Sequence, residues 1–291
     1  HFNPGFVKQG FTAGLSGGLL PGLQMVPAVR VENACATGSA AIHHAQALIA
    51  SGQARHVLAI GVEVMSALPT REVGQALLQA CYVKEEIETP AGFAGMFAKL
   101  ADAYAERHGD PHPAMARIAA KNHANGLHNP LAQLHLDVDA AFCDTESDKN
   151  PRAIARLLSE LAGTRTAWQR LMAKAGITLQ DLDLLETHDC FTIAELMQYE
   201  AIGLCAPGQG ARALEEGWVM PGGRLPVNLS GGLKSKGHPV GATGVSMHVM
   251  AAWQLLGRWR SAPLPRARLA AVLNMGGAGV VTCGSVLERL N

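Results

Sequence analysis

The sequence predicts an α/β fold, on two observations. Short apolar runs alternate with helix-like stretches, and the order strand, sharp turn, helix, strand occurs near the start and again near the end. The chain also holds 32 glycines in 291 residues, which provides tight turns and close backbone approaches and favours buried sheets over a coiled or fibrous form. In the first occurrence "VRVENAC" reads as a strand, "AIHHAQALIASG" (41 to 52) as a helix ending at a glycine, and "HVLAIGVEVMS" (56 to 66) as a buried strand. In the second, "RLPVNLSGG" passes through a Gly-rich turn into the helical "GVSMHVMAAWQLLG". "RLAAVLNMGGAGVVTCGSVLERL" then reads as two strands around a glycine turn. The two parts are expected to be related halves of one α/β architecture.

Between them, residues 93 to 137 read as a helix, a break at "GDPHP", a second helix and a polar loop at "HNP", an insertion rather than a sheet layer. A further helix over 164 to 177 leads to the apolar strand "LDLLET", which runs into "HDCF" and then an amphipathic helix. The domain boundary is expected near residue 160. This gives an N-terminal half over 1–160, with a loop region over about 67–150, and a C-terminal half over 161–291.

Composition excludes several classes. Twenty-four basic side chains balance 24 acidic ones, so no net field gathers nucleic acid or an anionic membrane. Six cysteines, at 35, 81, 143, 190, 205 and 283, form no C-x-x-C pair, so neither a zinc ribbon nor a disulfide framework is expected, and no metal is implied. The start lacks a signal-peptide pattern and the end carries no lipidation or peroxisomal tripeptide, from which a cytoplasmic, reducing location is expected. The charge-poor runs over 237 to 257 and 269 to 287 are interrupted by His, Pro and "NMGGAG", and read as buried helix and strands rather than membrane spans.

Polar groups fall at three strand-to-helix junctions, where open α/β sheets bind their ligands. Cys35 follows "VRVEN" and opens a helix; His188 and Cys190 follow "LDLLET"; His238 lies in "KSKGHPVGATG" before a third helix. A cysteine at a helix start has backbone N–H groups and the positive end of the helix dipole to favour its thiolate. Ala36, Gly38, Ser39 and Ala40 leave room for close approach. A thiolate nucleophile needs a base and donors for the oxyanion formed on carbonyl attack. His238 is suited to be the base. Cys190 is a second acid/base for removing a proton beside a thioester carbonyl, His188 a donor, and the glycine N–H groups of "LNMGGAG" (273 to 279) a second oxyanion site. Taken singly, each has a bland reading: a core cysteine, a strand-end histidine, a glycine hairpin. Their joint occurrence points to a site.

"NACATGSAA", "HDCFTIAEL", "GGLKSKGHPVGATG" and "NMGGAG", in this order, resemble the fingerprints of the thiolase superfamily, and the "HDCF" form resembles its sterol-carrier-protein type. The resemblance covers most of the chain, including "YAERHG" and "AAKNHANGLHNPLAQ". It implies a thiolase-like fold of two βαβαβαββ halves in five layers (α-β-α-β-α), usually a dimer, acting on acyl-CoA and acetyl-CoA thioesters with no permanently bound cofactor. On it, Cys35 matches the acylated nucleophile, His238 its activator and oxyanion donor, and His188 the oxyanion residue of the "HDCF" box. Where ordinary thiolases keep a C-x-G cysteine, this chain has Asn274-Met275-Gly276. Cys190 therefore matches the acid/base, and Gly276, with Asn274 beside it, the oxyanion region. Cys283 is expected in the core. Lys234, Ser235 and Lys236 are candidates for coenzyme A phosphates. Two departures stand out: the family's opening strand-and-helix unit and its D-C-S…D-G-A-A-A strand are not found, from which a longer parent chain is expected.

The implied function is a thiolase-type acyltransferase of lipid and fatty acid metabolism that forms or cleaves a carbon–carbon bond in 3-ketoacyl-CoA through a Cys35 acyl-enzyme. Three alternatives stay open. One is a non-catalytic thiolase-fold subunit that binds acyl-CoA or a partner protein, with an accessory subunit conceivable. The second is a ketosynthase-like condensing enzyme. The third is a serine hydrolase using "GLSGG" (14 to 18) as a nucleophile elbow.

Overall fold

The computed structural model describes residues 1–2, 6–19, 21–86, 92–145, 161–259, 264 and 266–290. The expected boundary near 160, and part of the segment where the family's central strand was sought, lie outside these residues. Helices α1 (Thr12–Leu19), α2 (Thr37–Ala50), α3 (Thr70–Leu78), α4 (Val83–Glu86), α5 (Gly92–His108), α6 (His112–Gly126) and α7 (Ala140–Asp144) occupy the first half. The second half contains α8 (Ala162–Ala175), β1 (Leu184–Thr187), α9 (Thr192–Ala201), α10 (Gly210–Glu215), α11 (Gly232–Lys236), α12 (Thr243–Leu255), β2 (Leu269–Gly276) and β3 (Val281–Glu288).

The sheet runs β1-β2-β3, with β1 parallel to β2 and β2 antiparallel to β3. Gly277 and Gly279, at φ +59° and +85°, make the hairpin turn that L side chains disfavour. Strand alternation then sorts the core. Leu184, Ala270 and Val272 pack with Met247, Ala251 and Leu255 of α12 on one face. Leu185, Ala271, Leu273 and Met275 pack on the other face with Trp168 and Met172 of α8 and Ile193 and Leu196 of α9. The result is a mixed sheet flanked by helices, as the α/β thiolase-like reading requires. Asn274, on the α12 face of β2, is thereby pointed at the start of α2.

Helices α2 and α12 cross where neither has bulk. A Cβ on Gly38 would lie 2.5 Å from the Val245 nitrogen, and one on Gly244 would lie 2.1 Å from the Ser39 nitrogen. This backbone contact sets Cys35, just before α2, against His238, just before α12.

The first half departs from expectation. Regular strands are confined to the second half among the described residues, and the "VRVENAC" strand reduces to an isolated Asn33–Cys35 bridge. Residues 56–66, read as a buried strand, form no ladder. Odd-numbered side chains from Val57 to Met65 are half-buried while even-numbered ones are exposed, Leu58 to 63 %. The period-two pattern is that of a strand. The hydrogen-bonded neighbour that would turn it into one is not among the described residues.

Three buried carboxylates pin the loop that leads to His238. Glu186 accepts from Ser230 Oγ (2.6 Å) and Gln254 Nε2 (2.8 Å), and Asp189 from the backbone nitrogens of Leu233 (2.6 Å) and Lys234 (3.2 Å). Glu195 accepts from Lys121 Nζ (2.7 Å), Asn122 Nδ2 (2.7 Å) and Asn228 Nδ2 (3.0 Å), as well as from the Tyr199 hydroxyl. Asn122 also donates to Asp189 (2.8 Å), so α6 of the loop region is tied into the same network. Burial first, then the neighbouring Glu195 charge, pushes the Asp189 carboxyl up to about 7.

Three substitutions test this packing. In urea titrations, Gly244→Ala is expected to lose about 1–3 kcal/mol or more through the backbone clash. Gly74→Ala, in the middle of α3 with open space where its Cβ would go, is expected to gain up to about 1 kcal/mol. Lys121→Met, which leaves Glu195 buried without its cation, is expected to cost about 3–5 kcal/mol. A Lys121→Met protein as stable as the parent would remove this network from the account of the fold.

Candidate active site

Cys35 sits on a strained turn. Ala34 before it has φ +48°, unusual for a residue with a side chain. The turn is held by Thr37, whose Oγ1 donates to the Ala34 carbonyl (2.6 Å) and accepts from the Asn33 N–H (2.8 Å). Strain of this kind persists only where surrounding contacts over-determine it. Here it directs the Cys35 side chain inward, to 1 % exposure.

The fold brings three of the expected residues together. One ligand-type atom from each of Cys35, His188 and His238 lies within 4.8 Å of the others. The two imidazoles meet edge to face, with centroids 5.0 Å apart and planes at 78°. Both Nε2 atoms are buried with no hydrogen-bond partner in the protein. His238 Nδ1 contacts Thr243 Oγ1 (2.7 Å), and that hydroxyl donates to the Pro239 carbonyl (3.1 Å). Asn274 lies within hydrogen-bond distance of the Cys35 carbonyl (3.1 Å), His188 Nδ1 (3.0 Å) and Ser39 Oγ (2.9 Å).

Cys190 stands outside the close cluster of three, at the turn before α9, where burial first and then the neighbouring Cys35 raise its thiol well above the usual range. Gly276 is in the β2–β3 ladder opposite Val281. The N–H that reaches the Cys35 sulfur belongs to the next residue, Gly277.

The electrostatics correct one expectation. The start of α2 was expected to favour the Cys35 thiolate, but burial pushes the thiol up to about 12 despite the N–H groups of Gly277 and Cys35 itself. Desolvation costs the anion more than two N–H contacts and a helix end return. Burial likewise lowers His238 to about 4, and burial together with His238 holds His188 well below the usual imidazole range. In the free protein the site therefore holds a thiol and two neutral imidazoles.

Other expectations resolve individually. Ser235 donates to the Leu134 carbonyl (2.6 Å), and Lys236 is turned inward to Glu186 (3.4 Å), so both are committed to the interior; Lys234 is exposed. "GLSGG" lies within α1, and Ser16 Oγ donates to the Ala13 carbonyl, so there is no strand-to-helix elbow there. Cys283 is half-buried on β3 facing Asn33. Sequence reasoning missed Thr243, Ser39 and the three buried carboxylates. The available signal was the presence of acidic residues inside the apolar runs "DLLETHD" and "IAELM".

Comparison with known proteins gives the lineage. The family described as "Thiolase, N-terminal domain" matches residues 11–171, and "Thiolase C-terminal domain-like" matches 149–289. Sterol carrier protein 2 of Bos taurus is 31 % identical over 323 residues, covering 90 % of this chain and 59 % of that protein. The chain thus spans about three fifths of the length of that relative. Since 90 % of 291 residues is about 262, roughly 61 of the relative's 323 matched residues have no counterpart here. An acetyl-CoA acetyltransferase of Methanothermobacter thermautotrophicus is 28 % identical, covering 92 % of this chain and 82 % of that one. Among solved structures, the Ltp2-ChsH2(DUF35) aldolase has the same fold, with a TM-score of 0.67 at 17 % identity over 91 % of this chain and 81 % of that one. The chain belongs to the thiolase superfamily, close to its sterol-carrier-protein type.

Proposed function

We propose that this chain carries out thiolase-type acyl transfer on coenzyme A thioesters. The observation that supports it is the convergence of the Cys35 thiol with His188 and His238, whose Nε2 atoms are both buried and without a hydrogen-bond partner. In the first step Cys35 Sγ attacks the acyl carbonyl while His238 Nε2 takes the thiol proton. Thr243 favours this role: its only hydroxyl proton goes to Pro239, so its oxygen accepts from His238 Nδ1–H and leaves the lone pair at Nε2. The oxyanion is held at the N–H groups of Gly277 and Cys35. Collapse expels the coenzyme A thiolate, which regains the proton from His238 and leaves an acyl thioester on Cys35.

In the synthetic direction Cys190, as its thiolate, removes a proton from acetyl-CoA, the enolate oxygen is stabilised by His188, and the enolate carbon attacks the acyl group, expelling the Cys35 thiolate, which takes that proton from Cys190. The cleaving direction reverses this order. Coenzyme A thioesters are the substrates, and a homodimer, with or without an accessory subunit, belongs to the same reading.

A second reading is that the chain binds acyl-CoA without turnover. The dry, protonated Cys35 favours it, because the resting site has no thiolate. The relative named as a sterol carrier favours it too. One experiment separates the two: intact mass and peptide mapping after brief incubation with acetyl-CoA. Acyl transfer predicts an acetyl group on Cys35; reversible coenzyme A ester binding with no adduct supports the carrier reading. Cys190→Ala is expected to keep the adduct but lose carbon–carbon bond formation and cleavage, and normal turnover by that variant would sink the role given to Cys190.

The buried thiol adds a pH prediction. Thiolate is the reactive form and is scarce until the pH nears 12. At pH 7.5 the free protein's Cys35 is expected to react with iodoacetamide about a thousandfold more slowly than an unperturbed cysteine thiol. The rate is expected still to be rising at pH 10, where a free cysteine has levelled off.

A further inference from the structure

Cys35, His188 and His238 have the composition and closeness of a three-ligand zinc centre with an open fourth position. Whether they act as one depends on which nitrogen of His188 carries its proton, since a metal binds the lone pair of a ring nitrogen. That proton is fixed by a chain of hydrogen bonds whose directions admit one assignment.

The chain starts at the Cys35 backbone carbonyl, which can only accept. The Asn274 atom 3.1 Å from it must therefore be the amide nitrogen, and the amide oxygen is left to accept from Ser39 Oγ at 2.9 Å. An amide nitrogen donates and does not accept. Its second hydrogen faces His188 Nδ1 at 3.0 Å, so Nδ1 presents its lone pair and the imidazole proton sits on Nε2. The reversed amide would set two oxygens against each other at Cys35, and a proton on His188 Nδ1 would set two donors against each other at Asn274.

We propose that Asn274, anchored by Ser39, is a positioning residue that locks His188 as the Nε2–H tautomer and so closes the Cys35–His188–His238 cluster to transition-metal ions. With the lock in place, His188 donates into the site. A metal at Nε2 would require the proton to move to Nδ1, against the Asn274 N–H. The value of that donor to an enolate rests on the acyl-transfer reading; the tautomer and the exclusion of metal do not. The two histidines are set oppositely by their neighbours, His238 by a hydroxyl that accepts and His188 by an amide that donates.

The test uses the full chain with 15N-labelled histidine and cobalt(II) as the probe. Long-range 15N–1H spectra at pH 7.5 are expected to show His188 with its proton on Nε2, and cobalt(II) is expected to give no thiolate-to-cobalt absorption. Asn274→Asp replaces the donor with a carboxylate that accepts from Nδ1–H, the outer-shell arrangement typical of metal-bound histidine. That variant is expected to bind cobalt(II) at least tenfold more tightly than the parent, with a thiolate band that Cys35→Ala removes. Ser39→Ala, which frees the amide to turn, is expected to shift part of His188 to the Nδ1–H form. His188 protonated on Nδ1 in the parent protein overturns the proposal, as does cobalt binding through Cys35 in the parent as tight as in Asn274→Asp. Because the parent's spectrum alone decides the first point, a poorly folding variant leaves the proposal falsifiable. A parent that fails to take an acetyl group while showing His188 as Nε2–H supports the lock and overturns acyl transfer.

Discussion

Everything at the site depends on the contact between two helix starts that carry no side-chain bulk. Gly38 and Gly244 bring α2 and α12 to backbone distance, and the residues just before each helix are Cys35 and His238 and their turns. A methyl group at either glycine would clash with the facing backbone and press the two helix starts apart, and with them the nucleophile and its base. The strained Ala34 turn and the Thr37 bonds around it work on the same coordinate, since they settle how Cys35 enters the crossing.

The third member, His188, reaches the cluster from the sheet. Strand β1 ends at Thr187, and the next three residues are His188, Asp189 and Cys190. Asp189 turns to α11 and fixes the loop that presents His238, while His188 turns toward Asn274 on the neighbouring strand. One short segment thus contributes a ring to the site and ties down the loop carrying the opposing ring. The cost is three carboxylates out of water, offset by donors from α6, α11, α12 and the loop between Val227 and Ser230.

Much of this was legible in the sequence because it is local. The glycine-turn hairpin of β2 and β3, the helices after "NAC", "HDCF" and "GHP", and the two loop-region helices follow from short-range periodicity and turn chemistry. The cluster of Cys35, His188 and His238 was legible because each stands at a junction of the same kind. What was not legible is pairwise and long-range. Nothing in "HVLAIGVEVMS" says whether another strand lies beside it. Nothing in "LNMGG" says that Asn274 meets the Cys35 carbonyl across 239 residues. The protonation state of Cys35 was misjudged for a related reason: a helix start is visible in the sequence, whereas the depth of burial that outweighs it depends on every element packed above.

The extended stretch through Leu58, Ile60, Val62 and Val64 has a consequence of its own. Its side chains already alternate as though paired, the even-numbered ones exposed and the odd-numbered ones half-buried, so its shape is preset. A helix laid over it would hide the side chains but leave the backbone N–H and carbonyl groups without partners. Only another extended segment with the same period satisfies both, and the stretch is selective by geometry before any side chain is read.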